Sequence, residues 1–147
     1  MLGQDFKEFI GALNAREVQY LVIGGYAVAF HGFPRYTKDI DLWVGPTPDN
    51  INRLIQAIDD FGFGSLGITP ADFSDPKVVI QLGQPPNRID LLCDVGGLAF
   101  DKAYSRSVRV ILDDMPVPFI DIDDLITAKR AAGRLQDLAD IENLQSK

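Results

Sequence analysis

The sequence predicts one α/β (α+β) domain over residues 1–147, a mixed β-sheet flanked by helices. Two observations lead there. Apolar residues recur at helical spacing near both ends and after Pro48, and between those segments lie short apolar runs of strand length bounded by Gly, Pro and Asp. The chain holds neither a repeat nor a low-complexity tract, and its length is enough for one sizeable core.

In chain order, Phe6, Phe9, Ile10 and Leu13 fall at i, i+3, i+4 and i+7, an amphipathic first helix ending near Asn14. Val18 to Ile23 reads as a buried strand. Tyr26 to His31 reads as a short helix, entered through Gly24-Gly25 and stopped by Gly32 and Pro34. Asp39 to Val44 is the next strand. Thr47-Pro48 pairs an N-cap with proline at the first helical position, and Ile51, Leu54, Ile55 and Ile58 supply a second stripe. Val78 to Leu82 and Arg88 to Val95 form an antiparallel pair joined through Gly83 to Asn87. Val108 to Leu112 and Val117 to Ile120 are short strands around Asp113-Asp114. Two helices, Asp121 to Ala132 and Leu135 to Leu144, close the chain and are broken at Gly133.

Composition removes several classes. The apolar and charged fractions, 46% and 24%, are those of a soluble globular protein. A formal net charge of −7 argues against a broad basic surface that tracks a nucleic-acid backbone, and makes nucleic acid the weaker choice of partner. Cys93 is the single cysteine and His31 the single histidine, which excludes an intrachain disulfide, a cysteine zinc site and a histidine-rich metal site. The longest nearly apolar stretch, Tyr20 to Phe30, is too short to span a bilayer, and Met1-Leu2-Gly3-Gln4-Asp5 does not begin a signal peptide. A cytoplasmic location without membrane contact is the expectation.

The chemistry concentrates in the acids. Alternation in Asp39-Ile40-Asp41-Leu42-Trp43-Val44 sends both aspartates to one face of a strand while Ile40, Leu42 and Val44 enter the core. Neighbouring carboxylates repel unless a cation lies between them. In Arg88-Ile89-Asp90-Leu91-Leu92 the same alternation puts Asp90 opposite Ile89 and Leu91; Asp94 is its rival on the same strand face. Carboxylates are the ligands that hard magnesium or manganese prefers, and two such ions neutralise phosphate charge and align attacking and leaving oxygens. Gly24-Gly25 lets the backbone approach phosphate oxygens closely. The set Asp39, Asp41, Asp90 therefore points to a divalent-metal site that handles a nucleoside triphosphate.

These residues resemble the DNA polymerase β-like nucleotidyltransferase superfamily, through Gly24-Gly25, Thr37-Lys38-Asp39-Ile40-Asp41-Leu42 and Arg88-Ile89-Asp90-Leu91. The run from Asp124 to Ile141 is similar to the closing helices of its small bacterial members, those akin to abortive-infection toxins and to aminoglycoside and lincosamide nucleotidyltransferases. The resemblance implies that Asp39, Asp41 and Asp90 are metal ligands and catalytic residues, Gly24-Gly25 the phosphate loop, and Lys129 a triphosphate contact. It implies transfer of a nucleoside monophosphate from an NTP to a hydroxyl on a small molecule or protein, with release of pyrophosphate. Many members carry serine second in the glycine pair, whereas Gly25 has no hydroxyl to offer. A second reading is therefore a nucleotide- or protein-binding module of a toxin–antitoxin or phage-defence pair, acting through a partner protein or as a homo-oligomer.

Other motifs read as structural. An EF-hand fails because its fifth loop position is Trp43. Gly62-Phe63-Gly64-Ser65-Leu66-Gly67 matches a dinucleotide fingerprint in letters, yet it follows a helical stripe instead of a strand, and is expected to be a loop. Asp121, Asp123 and Asp124 suit a helix N-terminus, His31 a packed helix end, and Cys93 the core. Arg35, Lys38, Arg88, Lys129, Arg130 and Arg134 are read as surface cations, of which Lys38 and Lys129 are the first choices for triphosphate.

Overall fold

In a computed structural model of the chain, the described residues are 3–32, 39–84 and 86–145. Helix α1 (Gln4–Ala15) buries Phe6, Phe9, Ile10 and Leu13, the predicted stripe. Strand β1 (Tyr20–Ile23) is buried along its whole length and runs directly into α2 (Gly24–Phe30), which therefore starts two residues before the expected Tyr26. Strand β2 (Asp39–Val44) has the expected bounds. Helix α3 (Pro48–Ile58) begins behind Thr47, whose hydroxyl accepts from the Asn50 amide at 3.3 Å.

Residues 59–66 and Pro70–Phe73 form short helical turns in place of the expected loop, with Gly62 and Gly67 in left-handed conformations that break each turn from the next. Strands β3 (Val79–Leu82) and β4 (Arg88–Leu92) pair antiparallel. Helix α4 (Phe100–Ser105) was not foreseen: at one and a half turns it is too short to show periodicity, and it is anchored by packing of Phe100 against Trp43. Strands β5 (Val108–Leu112) and β6 (Met115–Phe119) form a hairpin around Asp113 and Asp114, both at positive φ. Helices α5 (Ile122–Ala132) and α6 (Leu135–Gln145) are separated by Gly133, left-handed as a C-cap.

The sheet order is β3-β4-β2-β1-β6-β5. The pairs β2–β4 and β1–β6 are parallel and the other pairs antiparallel, so the sheet is mixed as expected. Leu42, Val44, Ile89 and Leu91 join the α1 and α3 stripes in one apolar core. Asn50 ties α3 to the strand ends: its Oδ1 accepts from the Gln19 amide at 2.7 Å, and its Nδ2 donates to the carbonyls of Gln19 and Gly45, both at 2.9 Å. Asp121 caps α5 by accepting from the Asp124 amide at 2.8 Å, and the buried Asp124 carboxylate takes a two-pronged pair from Arg106 at 2.9 and 3.0 Å. The His31 Nε2–H donates to the Ile120 carbonyl at 2.8 Å, the packed helix end expected. Cys93 lies just past β4 and is only half-buried at the core edge, because the strand ends before it.

Candidate active site

Side-chain alternation along β2 leaves Asp39 and Asp41 on the face away from Ile40 and Leu42. The parallel register with β4 sets Asp41 beside Asp90 and Asp39 beside Arg88. Oxygens of Asp39, Asp41 and Asp90 all lie within 4.8 Å of one another. Asp94 is exposed beyond the end of β4, on the rim of the same cleft and outside this cluster. Of the two candidates for third acid, Asp90 is the one brought to the others.

The glycine pair serves the same spot. Register places Ile23 opposite Asp41, and the chain turns from β1 into α2 at Gly24, with φ +68°. A Cβ on Gly24 would fall inside the Asp41 carboxylate, so both backbone conformation and close approach demand glycine. Gly24 and Gly25 line a cavity of about 660 Å³ that also takes in the three acids. Burial above all, then the charges of Asp39 and Asp90, push the Asp41 carboxyl up to about 7, while Lys129 opposes the rise. Crowded hard-oxygen donors of like charge, this close together, fit a divalent cation such as magnesium.

Two expected surface cations are engaged by acids, Arg88 half-buried and Lys129 buried. Arg88 stands on the cleft face because it is two residues from Asp90 on β4. Its Nε donates to Asp90 Oδ1 at 2.9 Å, and its Nη2 donates to Asp90 Oδ2 at 3.1 Å and to Asp39 Oδ2 at 2.6 Å. Lys129, on the inward face of α5, is 6% exposed, and its ammonium lies 2.9 Å from Asp140 and 3.3 Å from Asp137. Burial acts to raise the Asp137 carboxyl, but Arg134 and Lys129 outweigh it and hold the group below the ordinary carboxylate range. Lys129 lines the cavity while its charge is engaged by α6. Lys38 and Arg35 lie outside the described residues.

Sequence reasoning missed Asp137, Asp140 and Gln81. A signal for the two acids existed: Asp137, Asp140, Ile141 and Leu144 share one face of α6, so acids interrupt an apolar stripe and need a buried cation. Gln81 had none. Only the antiparallel register of β3 with β4 sets it beside Asp90 at the cavity wall.

No curated relative matches the chain. Among solved structures, it is similar to a lincosamide antibiotic adenylyltransferase with lincomycin bound, at 15% identity and a TM-score of 0.59 over 99% of this chain and 98% of that one. It is similar to a candidate nucleotidyltransferase from Thermotoga maritima, at 12% identity and a TM-score of 0.60 over 96% and 90%. An antigenic nucleotidyltransferase-like protein from Paracoccidioides brasiliensis follows at 15% identity and a TM-score of 0.52 over 95% and 74%. These likenesses agree on the fold, a mixed sheet flanked by helices. A family described as "nucleotidyltransferase of unknown function (DUF6036)" matches residues 2–145, and the chain belongs to that family.

Proposed function

We propose that the protein transfers a nucleoside monophosphate from an NTP to a hydroxyl of a small-molecule acceptor, in a reaction dependent on magnesium or manganese and releasing pyrophosphate. The observation that carries this reading is the convergence of Asp39, Asp41 and Asp90 within 4.8 Å beside the Gly24 bend. Asp39 and Asp41 would hold the ions, with Asp90 completing the ligand set. Bound there, the ions would supply charge neutralisation on the triphosphate and alignment of attacking and leaving oxygens. The backbone of Gly24 and Gly25 offers a wall without side chains against which phosphates can lie. Lys129, which lines the cavity, and Lys38, which precedes Asp39 in the sequence, are the candidates among the lysines for the triphosphate charge.

In the step itself, the acceptor oxygen forms a bond to the α-phosphorus and the bond from that phosphorus to the bridging oxygen breaks. Pyrophosphate leaves with the electron pair, and the hydroxyl proton passes to the Asp90 carboxylate. Gln81, in register with Asp90 and uncharged, suits a hydrogen bond to a neutral hydroxylated acceptor. The lincomycin bound to the lincosamide enzyme supports a small molecule as acceptor class.

Incubation with each labelled triphosphate, magnesium and a panel of hydroxylated small molecules tests the reading. Labelled product with pyrophosphate is expected from the wild type and not from Asp41→Asn. Equal turnover by both proteins would overturn the assignment of the acids. Magnesium-dependent nucleotide binding without pyrophosphate across the panel would favour the binding-module reading, to which the absence of a hydroxyl at Gly25 also lends support.

A further inference from the structure

The three hydrogen bonds of Arg88 take oxygens from two of the three clustered acids, Asp39 Oδ2 and both oxygens of Asp90. A divalent ion shared by these acids needs the same lone pairs, so ion and guanidinium compete for them. Lys129 and Arg134, the neighbouring cations, are engaged by Asp137 and Asp140. Arg88 also has room to leave: it begins β4, next to the connection from β3, and its side chain is 29% exposed.

We propose that Arg88 is a resident counter-cation of the acidic cluster, which holds Asp39 and Asp90 together in the metal-free protein and releases at least Asp39 when a divalent ion enters. The inference rests on the metal-site reading above. Arg88 is a positioning residue in this account. It prevents the carboxylates from splaying under mutual repulsion, and it sets a threshold that a cation has to exceed. The same hydrogen bonds occupy Asp90, so its service as proton acceptor requires Arg88 to give up an oxygen as well.

Calorimetric titration of wild type, Arg88→Gln and Arg88→Lys with manganese, in the absence of nucleotide, tests the proposal. Removing an adjacent opposite charge shifts a carboxylate's affinity for a competing cation by roughly tenfold or more, and that tightening is expected for Arg88→Gln. Arg88→Lys keeps the charge but loses the two-pronged fork, and falls between. In chelator, Arg88→Gln should melt below the wild type and recover more of its melting temperature when manganese is added. Unchanged or weaker manganese binding by Arg88→Gln, beside a wild type that binds, would overturn the proposal and leave the metal site standing. Should Arg88→Gln fail to fold, Arg88→Lys decides by the same criterion. Manganese bound by the variant but not by the wild type would support the proposal; absence of binding in both would overturn it together with the metal reading.

Discussion

Lys129 and Asp140 meet at 2.9 Å with both side chains under a tenth exposed, so the α5–α6 hairpin is fastened by an ion pair inside the protein. Asp137 shares the ammonium and also accepts from the Arg134 guanidinium at 2.6 Å. Loss of Lys129 would take the ammonium from buried Asp140 and leave Asp137 with Arg134 alone. Lys129→Met is therefore expected to destabilise the fold by about 3–5 kcal/mol, the range for breaking a buried pair from one side. Urea unfolding measures it. Neutralising the partners as well, in Lys129→Met/Asp137→Asn/Asp140→Asn, should restore much of the loss; a variant that loses triphosphate affinity with unchanged stability would instead make Lys129 a substrate contact alone.

Gly24 is expected to tolerate no side chain. Gly24→Ala combines a left-handed φ of +68° with a Cβ placed against the Asp41 carboxylate. The backbone component alone is on the order of 1–3 kcal/mol. Because relief of the clash displaces Asp41, magnesium-dependent stabilisation should fall as well. Thermal melts with and without magnesium check both parts, and a variant that melts and responds to magnesium like the wild type would contradict the close approach.

The pH dependence of metal-free stability should carry the signature of Asp41. Its carboxyl is raised from an ordinary 3.8 to about 7, so the folded state holds the proton more tightly than the unfolded state does. The stability this group contributes is full below pH 3.8 and is lost as pH rises through about 7. In chelator, the wild type should lose stability across that interval relative to Asp41→Asn, which cannot titrate there. Parallel pH profiles of the two proteins would count against the environment described for Asp41.

Asn50→Ala removes three hydrogen bonds, those to the Gln19 amide and to the carbonyls of Gln19 and Gly45. The Gln19 carbonyl keeps the Gly45 amide, whereas the buried Gly45 carbonyl loses the Asn50 side-chain amide, and leaving one such group unsatisfied costs about 1–3 kcal/mol. Denaturant unfolding should show a loss of at least that size. A loss within error would mean that water replaces the side chain.

Much of this protein was legible before any coordinates. The stripe Phe6, Phe9, Ile10, Leu13 and the alternation Asp39 to Leu42 fix element type and facing by local spacing alone, and both survive in the fold, while Trp43 is buried as well on the aspartate side, against Phe100. The Thr47-Pro48 cap and the Gly133 break are equally local, since each depends on the dihedral preferences of a few adjacent residues. Helix α4 escaped because one and a half turns carry no period. Tertiary structure decided the rest. The parallel pairing that sets Asp41 beside Asp90 and Asp39 beside Arg88 joins segments 49 residues apart, and the fold of β4 against β2 is the only thing that chooses that register. Likewise, local spacing marks Lys129 as a cation on α5, but whether it faces water or two carboxylates depends on how α6 packs against α5, because the partner of a buried charge is chosen by packing and not by spacing along the chain.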